Sequence, residues 1–200
     1  MSDLINEIVT LEWEDFQNVN NAGGRASCQD DRRTFEINRK SQFMAWNEAS
    51  LRSYLQDLKQ ARAKGRNLLM EKYARMMAWT HPEEYKRLES QLPPISKDAA
   101  ALVDGIVYAQ TGWQREFAAA YPKLASRGRP VQSAGDDAWL TSFETYLRGE
   151  LLTYSVETLG LYATHIAILK QQGVNMSLVS MDYMVKLSGF GSLEQAEAAS

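Results

Sequence analysis

The chain has 200 residues, 44% hydrophobic and 24% charged, with a formal net charge of −3. A chain of this length buries roughly 70% of the surface its unfolded form exposes, and the composition is that of a folded globular domain. Lys and Arg are interspersed with Asp and Glu, so no phosphate-tracking surface and no nucleic-acid partner are expected. No apolar run reaches the roughly eighteen residues of a membrane span, and no basic N-terminus leads into an apolar stretch, so membrane and secretion are not expected either. One cysteine, Cys28, and two histidines, His81 and His165, fit a reducing, cytoplasmic setting.

Apolar residues recur at three and four positions, strand-like alternation is scarce, and the chain reads as an all-α, single-domain helical bundle over 1–200. A first helix is expected to start after Ser2 and run to about Val19, ended by Asn20, Asn21, Gly23 and Gly24. A second runs from Asp30-Asp31 to Trp46, and Asn47 caps a third that stops at Gly65. Asn67 caps a fourth, Leu68 to Trp79, in which Met70, Met76 and Met77 read as core filling. A short helix begins at Pro82, and Pro93-Pro94 breaks the chain. Ser96 caps a fifth long helix to about Ala120. Tyr121 to Leu140 reads as a long irregular connection, of the kind that often carries function. Thr141 and Glu144 form a capping box for a helix toward Gln172, kinked near Ser155; a last amphipathic helix follows Gly173-Val174-Asn175, and the tail after Gly191 is peripheral.

An offset of 108 positions carries Gly65 to Gly173 and Asn67 to Asn175, and also Phe35 to Phe143, Gln42 to Glu150, Trp46 to Tyr154 and Tyr54 to Tyr162. Upstream the offset shrinks, with Gly24-Arg25 matching Gly128-Arg129 at 104 and Trp13 matching Trp113 at 100. Either two helical runs share corner chemistry by chance, or a duplicated unit spans 1–95 and 96–190. In the second case a pocket would lie between the halves.

Glu12 falls in the middle of the apolar face formed by Ile5, Ile8, Val9, Phe16 and Val19. An unpaired carboxylate there costs several kcal/mol, so it must be paired, hydrogen-bonded, protonated or at a wet cavity wall. Arg39 and Gln42 share a face with Phe35 and Trp46, and Glu150 shares one with Phe143, Leu147, Tyr154, Leu161 and His165. Each residue alone is compatible with a satisfied core group; together, ringed by Trp13, Trp46 and Tyr154, they make the polar-in-aromatic composition of a small-molecule pocket.

The turn Gly23 to Asp31 offers accessible backbone N–H groups, the Arg25 guanidinium and the Cys28 thiol, a plausible anion cradle. It follows a helix and has neither a P-loop nor a dinucleotide pattern, so no nucleotide is indicated. Arg127 and Arg129 are natural partners for the same anion, or else a solvated basic loop. Cys28 is a candidate nucleophile if Arg25 and a helix N-terminus lower its pKa, and otherwise an ordinary small residue. No Glu-x-x-His pair exists for a di-iron site, so no metal and no cofactor are expected; His165 reads as a satisfied core histidine.

At GGRASCQDD, SQFMAW, GRNLLMEKYARMM, RGRP and TSFETYLRGELLTYS the chain resembles a bacterial family catalogued as domain of unknown function 4125. The likeness spans nearly the whole chain; it implies a helical bacterial protein of about this size and assigns no residue a role. The expected function is an enzyme acting on a small anionic molecule by acid–base chemistry. Glu12, Glu150 and Cys28 are its catalytic candidates, and Arg25, Arg39, Gln42, Trp46, Arg129 and Tyr154 its substrate contacts. The alternative is a non-catalytic ligand-binding or regulatory module using the same pocket. A homodimer is compatible with either, and a purely structural adaptor would need a large exposed apolar patch.

Overall fold

The computed structural model describes residues 1–20, 24–137 and 140–200, and the described residues are helical with no strand. Asn21 and Gly23, expected to help end the first helix, lie outside them. The α-helices are α1 (Ser2–Gln17), α2 (Arg32–Met44), α3 (Glu48–Ala63), α4 (Leu68–Thr80), α5 (Pro82–Leu88), α6 (Lys97–Ala120), α7 (Pro122–Ser126), α8 (Phe143–Leu151), α9 (Val156–Gln171), α10 (Met176–Leu187) and α11 (Leu193–Ala198). None is long and apolar enough to cross a membrane.

The caps explain most boundaries. Side chains of Asp31, Asn47, Asn67, Ser96, Ser155, Asn175 and Ser192 each accept from the backbone N–H three residues on, satisfying a donor that the first helical turn leaves open. Gly65 and Gly173 sit at φ +68 and +67, the left-handed region where a Cβ is strained, and so each ends its helix sharply. The asparagine after each corner also reaches across the fold: Asn67 Nδ2 donates to the Asp15 carbonyl at 2.7 Å, and Asn175 Nδ2 to the Trp113 carbonyl at 3.1 Å.

The main core holds Ile8, Phe43, Leu51, Tyr54, Leu58, Val103, Ile106, Leu151, Leu159 and Tyr162 almost wholly buried, with smaller clusters around Phe16 and Phe117. Its helices cross between the two halves of the chain: α4 packs on α8, α10 packs on α2, and α3 lies against α9. Within each half, α1 contacts α2, α3 and α4, while α6 contacts α8, α9 and α10.

Four expectations are corrected. The helix expected from Thr141 to Gln172 is two helices, with Ser142, not Thr141, capping the first: the Thr145 N–H donates to its hydroxyl at 3.1 Å. Glu144 instead accepts from the Ser133 N–H and hydroxyl, both at 3.1 Å. The break at Ser155 is held by Asp57 of α3, whose carboxylate accepts from the Ser155 N–H at 2.9 Å and the Thr158 hydroxyl at 2.6 Å. The connection from Tyr121 contains α7 and a 3₁₀ turn at Ser133–Gly135. The segment after Gly191 is not peripheral: Leu193 and Ala196 of α11 are buried against Phe117 and Val185, and the Glu197 carboxylate accepts from the first N–H groups of α7. Finally, Met70 is exposed, whereas Met76 is core.

Candidate functional site

The polar residues on apolar helix faces meet in one place. α1 supplies Glu12, α2 Arg39 and Gln42, α3 Tyr54, α4 Lys72, and α8 Glu150, with Tyr154 just beyond its end. Arg39 is the hub. Its Nε and Nη2 donate to the two oxygens of Glu12 at 2.7 and 2.5 Å, the planar fork matching a carboxylate. Its Nη1 lies 3.1 Å from both oxygens of Glu150 and 2.7 Å from Gln42 Oε1, while Gln42 Nε2 donates to Glu150 Oε1 at 3.0 Å.

Three more donors close the network. Tyr54 OH donates to Glu12 Oε1 at 2.6 Å, Tyr154 OH to Glu150 Oε1 at 2.6 Å, and Lys72 Nζ to Glu150 Oε2 at 2.6 Å. Glu12 is 0% exposed and Glu150 4%, so two carboxylates, a guanidinium and an ammonium cancel formally with almost no water. Burial demands such closure, because a lone buried ion is far more expensive than a paired one. Aromatic rings form the walls: Tyr54 and Tyr154 centroids are 4.6 Å apart, and Trp46 stacks on Tyr162 at 4.1 Å with its edge toward Tyr154.

Electrostatics follow from the geometry. Burial alone would push the Glu150 carboxyl up, but Arg39, Lys72 and the Tyr154 hydrogen bond hold it well below the usual carboxylate range. Burial, then the adjacent carboxylates, push the Tyr54 and Tyr154 phenols far up, so both remain hydrogen-bond donors. A depressed carboxyl stabilises the fold above its ordinary value near 4.5 and loses that contribution as pH falls through its lower native value. We therefore expect the acid limb of a stability-versus-pH curve, measured by urea unfolding, to be shallower in Glu150→Gln than in wild type below about pH 5. Parallel limbs would show that folding does not favour the ionised Glu150.

Lys72, Tyr54 and Tyr146 were missed by sequence reasoning, although Lys72 shares an i,i+4 stripe with Leu68 and Met76, and Tyr54 lies between Leu51 and Leu58. Tyr146 of α8 marks where the network nears the surface. Its ring is half-buried, with Lys72 Nζ 3.5 Å and Arg129 Cζ 4.6 Å from its centroid. Burial, the largest influence, raises that phenol, but Lys72 and Arg39 together outweigh it and the net direction is down.

Of the expected site residues, Glu12, Arg39, Gln42, Trp46, Glu150 and Tyr154 are brought together. Arg129 touches the group only through Tyr146, its Nη1 donating to the Thr141 carbonyl at 3.0 Å. Arg25 is apart from it, bound to Asp30 at 2.9 Å and to Gln17 at 2.5 Å. The turn around it is organised by Gln29, whose buried amide donates to the Phe16 and Val19 carbonyls at 2.8 and 3.1 Å and so finishes the end of α1. Cys28, next to it, is exposed; Gly23 of the expected cradle is outside the described residues. The half-buried His165 ring meets the Ala45 carbonyl at 3.0 Å. Among the described residues no group of three or more His, Cys, Asp or Glu is placed to hold a metal ion.

A groove of about 280 Å³ lies between α6 and α8, away from the Glu12–Arg39–Glu150 network. Val107 and Thr111 form its floor, and Asp104, Tyr108, Arg115, Glu144, Arg148 and Gln132 its walls.

No curated protein and no solved structure gives a significant match to the chain. A family model described as "Protein of unknown function (DUF4125)" matches residues 2–198, so nearly the whole chain is covered, and the chain belongs to that family.

Proposed function

We propose that the chain is a ligand-binding module that takes a small metabolite by its anionic group, and that Glu12 and Glu150 hold the scaffold and do not move protons. The observation that supports the scaffold role is the saturation of the two carboxylates: one guanidinium, one ammonium, one amide and two phenols occupy them, and Glu150 is kept ionised. A general acid needs a proton near the working pH and reach to a substrate atom, and Glu150 has neither. We also propose that the halves are duplicates, as their matching glycine corners and the exchange of α4 and α10 between them suggest.

A second reading, an enzyme working by acid–base chemistry, is favoured by Tyr146, a half-buried phenol beside Lys72 with an eased ionisation. Thermal-shift screening of a metabolite library, with mass spectrometry of each hit after incubation, separates the two. Hits recovered unchanged support the module. A product mass that Tyr146→Phe abolishes supports the enzyme, and a library without hits defeats both.

A further inference from the structure

The groove between α6 and α8 carries charges that are not equivalent. Arg148 Nη1 binds Asp104 at 2.5 Å, so those two neutralise each other on the wall. Among the described residues Arg115 makes no salt bridge: its Nε donates to the Thr111 carbonyl at 3.3 Å, and the residue is exposed and lines the groove. Glu144 is steadied through Oε2 by the Ser133 N–H and hydroxyl, neutral donors that leave its negative charge standing and its other oxygen open. Among the described residues the groove therefore presents one cation and one anion without a salt-bridge partner, on different helices, beside the buried Val107 and Thr111.

A plain dianion would be repelled by Glu144, and a plain amine by Arg115. A ligand with both charges satisfies both. At about 280 Å³ the groove is at the small end of ligand sites, the scale of a single amino acid. Tyr108 is 76% exposed at its rim, a bare ring against which a side chain can lie.

We propose that this groove binds a free amino acid or a zwitterion of similar size, its carboxylate on the Arg115 fork and its ammonium at Glu144. The proposal rests on the ligand-binding reading above and names where and what the ligand is. The Gln132 amide, at the end of the groove, is the third polar contact.

The test uses the full chain and the twenty amino acids as probes, by thermal shift and by chemical-shift titration. For the tightest binder, the matched amine lacking the carboxylate and the matched acid lacking the ammonium are titrated beside it. Each analogue is expected to bind at least tenfold more weakly, and Arg115→Ala and Glu144→Gln each to weaken the amino acid at least tenfold. Both substituted side chains lie at the surface or half-buried, so an unchanged melting temperature without ligand confirms that the fold is intact. If the deaminated acid binds as tightly as the amino acid, the zwitterion assignment is overturned and anion binding stands. If Arg115→Ala binds like wild type, or no amino acid binds while other library compounds do, the groove assignment is overturned.

Discussion

Arg39→Ala is expected to cost about 3–5 kcal/mol of folding stability, because it strands two carboxylates where almost no water reaches them. For a domain whose whole margin is about 5–15 kcal/mol, that places the variant near the edge of folding. The size of the loss alone does not separate a lost ion pair from lost packing, so a paired replacement is the decisive comparison. In Arg39→Met with Glu12→Gln, one cation and one carboxylate leave together, the Tyr54 hydroxyl keeps an amide acceptor, and the Lys72–Glu150 bond at 2.6 Å survives. Urea unfolding is expected to show the double variant recovering more than half of the single variant's loss. Costs that simply add would mean that Arg39 and Glu12 do not act as a pair.

Gly149→Ala is expected to destabilise the protein by about 1–2 kcal/mol, against the gain of roughly 1 kcal/mol that alanine brings to a helix interior. A Cβ on Gly149 would lie 2.6 Å from Met76 Cγ and 3.0 Å from the Lys72 carbonyl. The methionine can swing aside, but the carbonyl moves only if α4 moves, and α4 carries the Lys72 ammonium that completes Glu150. Gly160, in the middle of α9, has nothing within 4 Å of the same added atom. Gly160→Ala is accordingly expected to be neutral or stabilising, and the sign difference between the two, read from unfolding midpoints at equal slope, is the check. Equal effects would remove the close approach of α4 and α8 as the reason for a glycine beside Glu150.

The local chemistry of the fold was legible wherever a side chain closes its own helix turn. Asn47, Asn67 and Ser96 cap the helices expected of them, because the cap bond spans only three residues. What was not legible depends on distant partners. Ser155 starts a new helix with help from Asp57, 98 positions away, and Glu144 leaves its own helix to hold Ser133. α11 looked peripheral because its apolar content is slight, yet Leu193 and Ala196 fill a gap beside Phe117. Glu12, Arg39, Gln42 and Glu150 were visible as polar intruders on apolar faces. Their meaning was not, since the same intrusion marks a wet pocket or a closed ion network, and only the partners decide. Arg115 and Glu144 gave no such signal, being polar residues on faces that are open to solvent.

The contact between Arg39 and Glu150 joins residues 111 positions apart. On the ribosome, the first half emerges with Glu12, Arg39 and Lys72 already made, two cations against one carboxylate, and the residue that balances them is still to be translated. Until Glu150 is translated, Arg39 and Lys72 lack the carboxylate that both of them bind in the folded chain. The ion network at the centre of the core is therefore complete only when residues from both halves of the sequence are present.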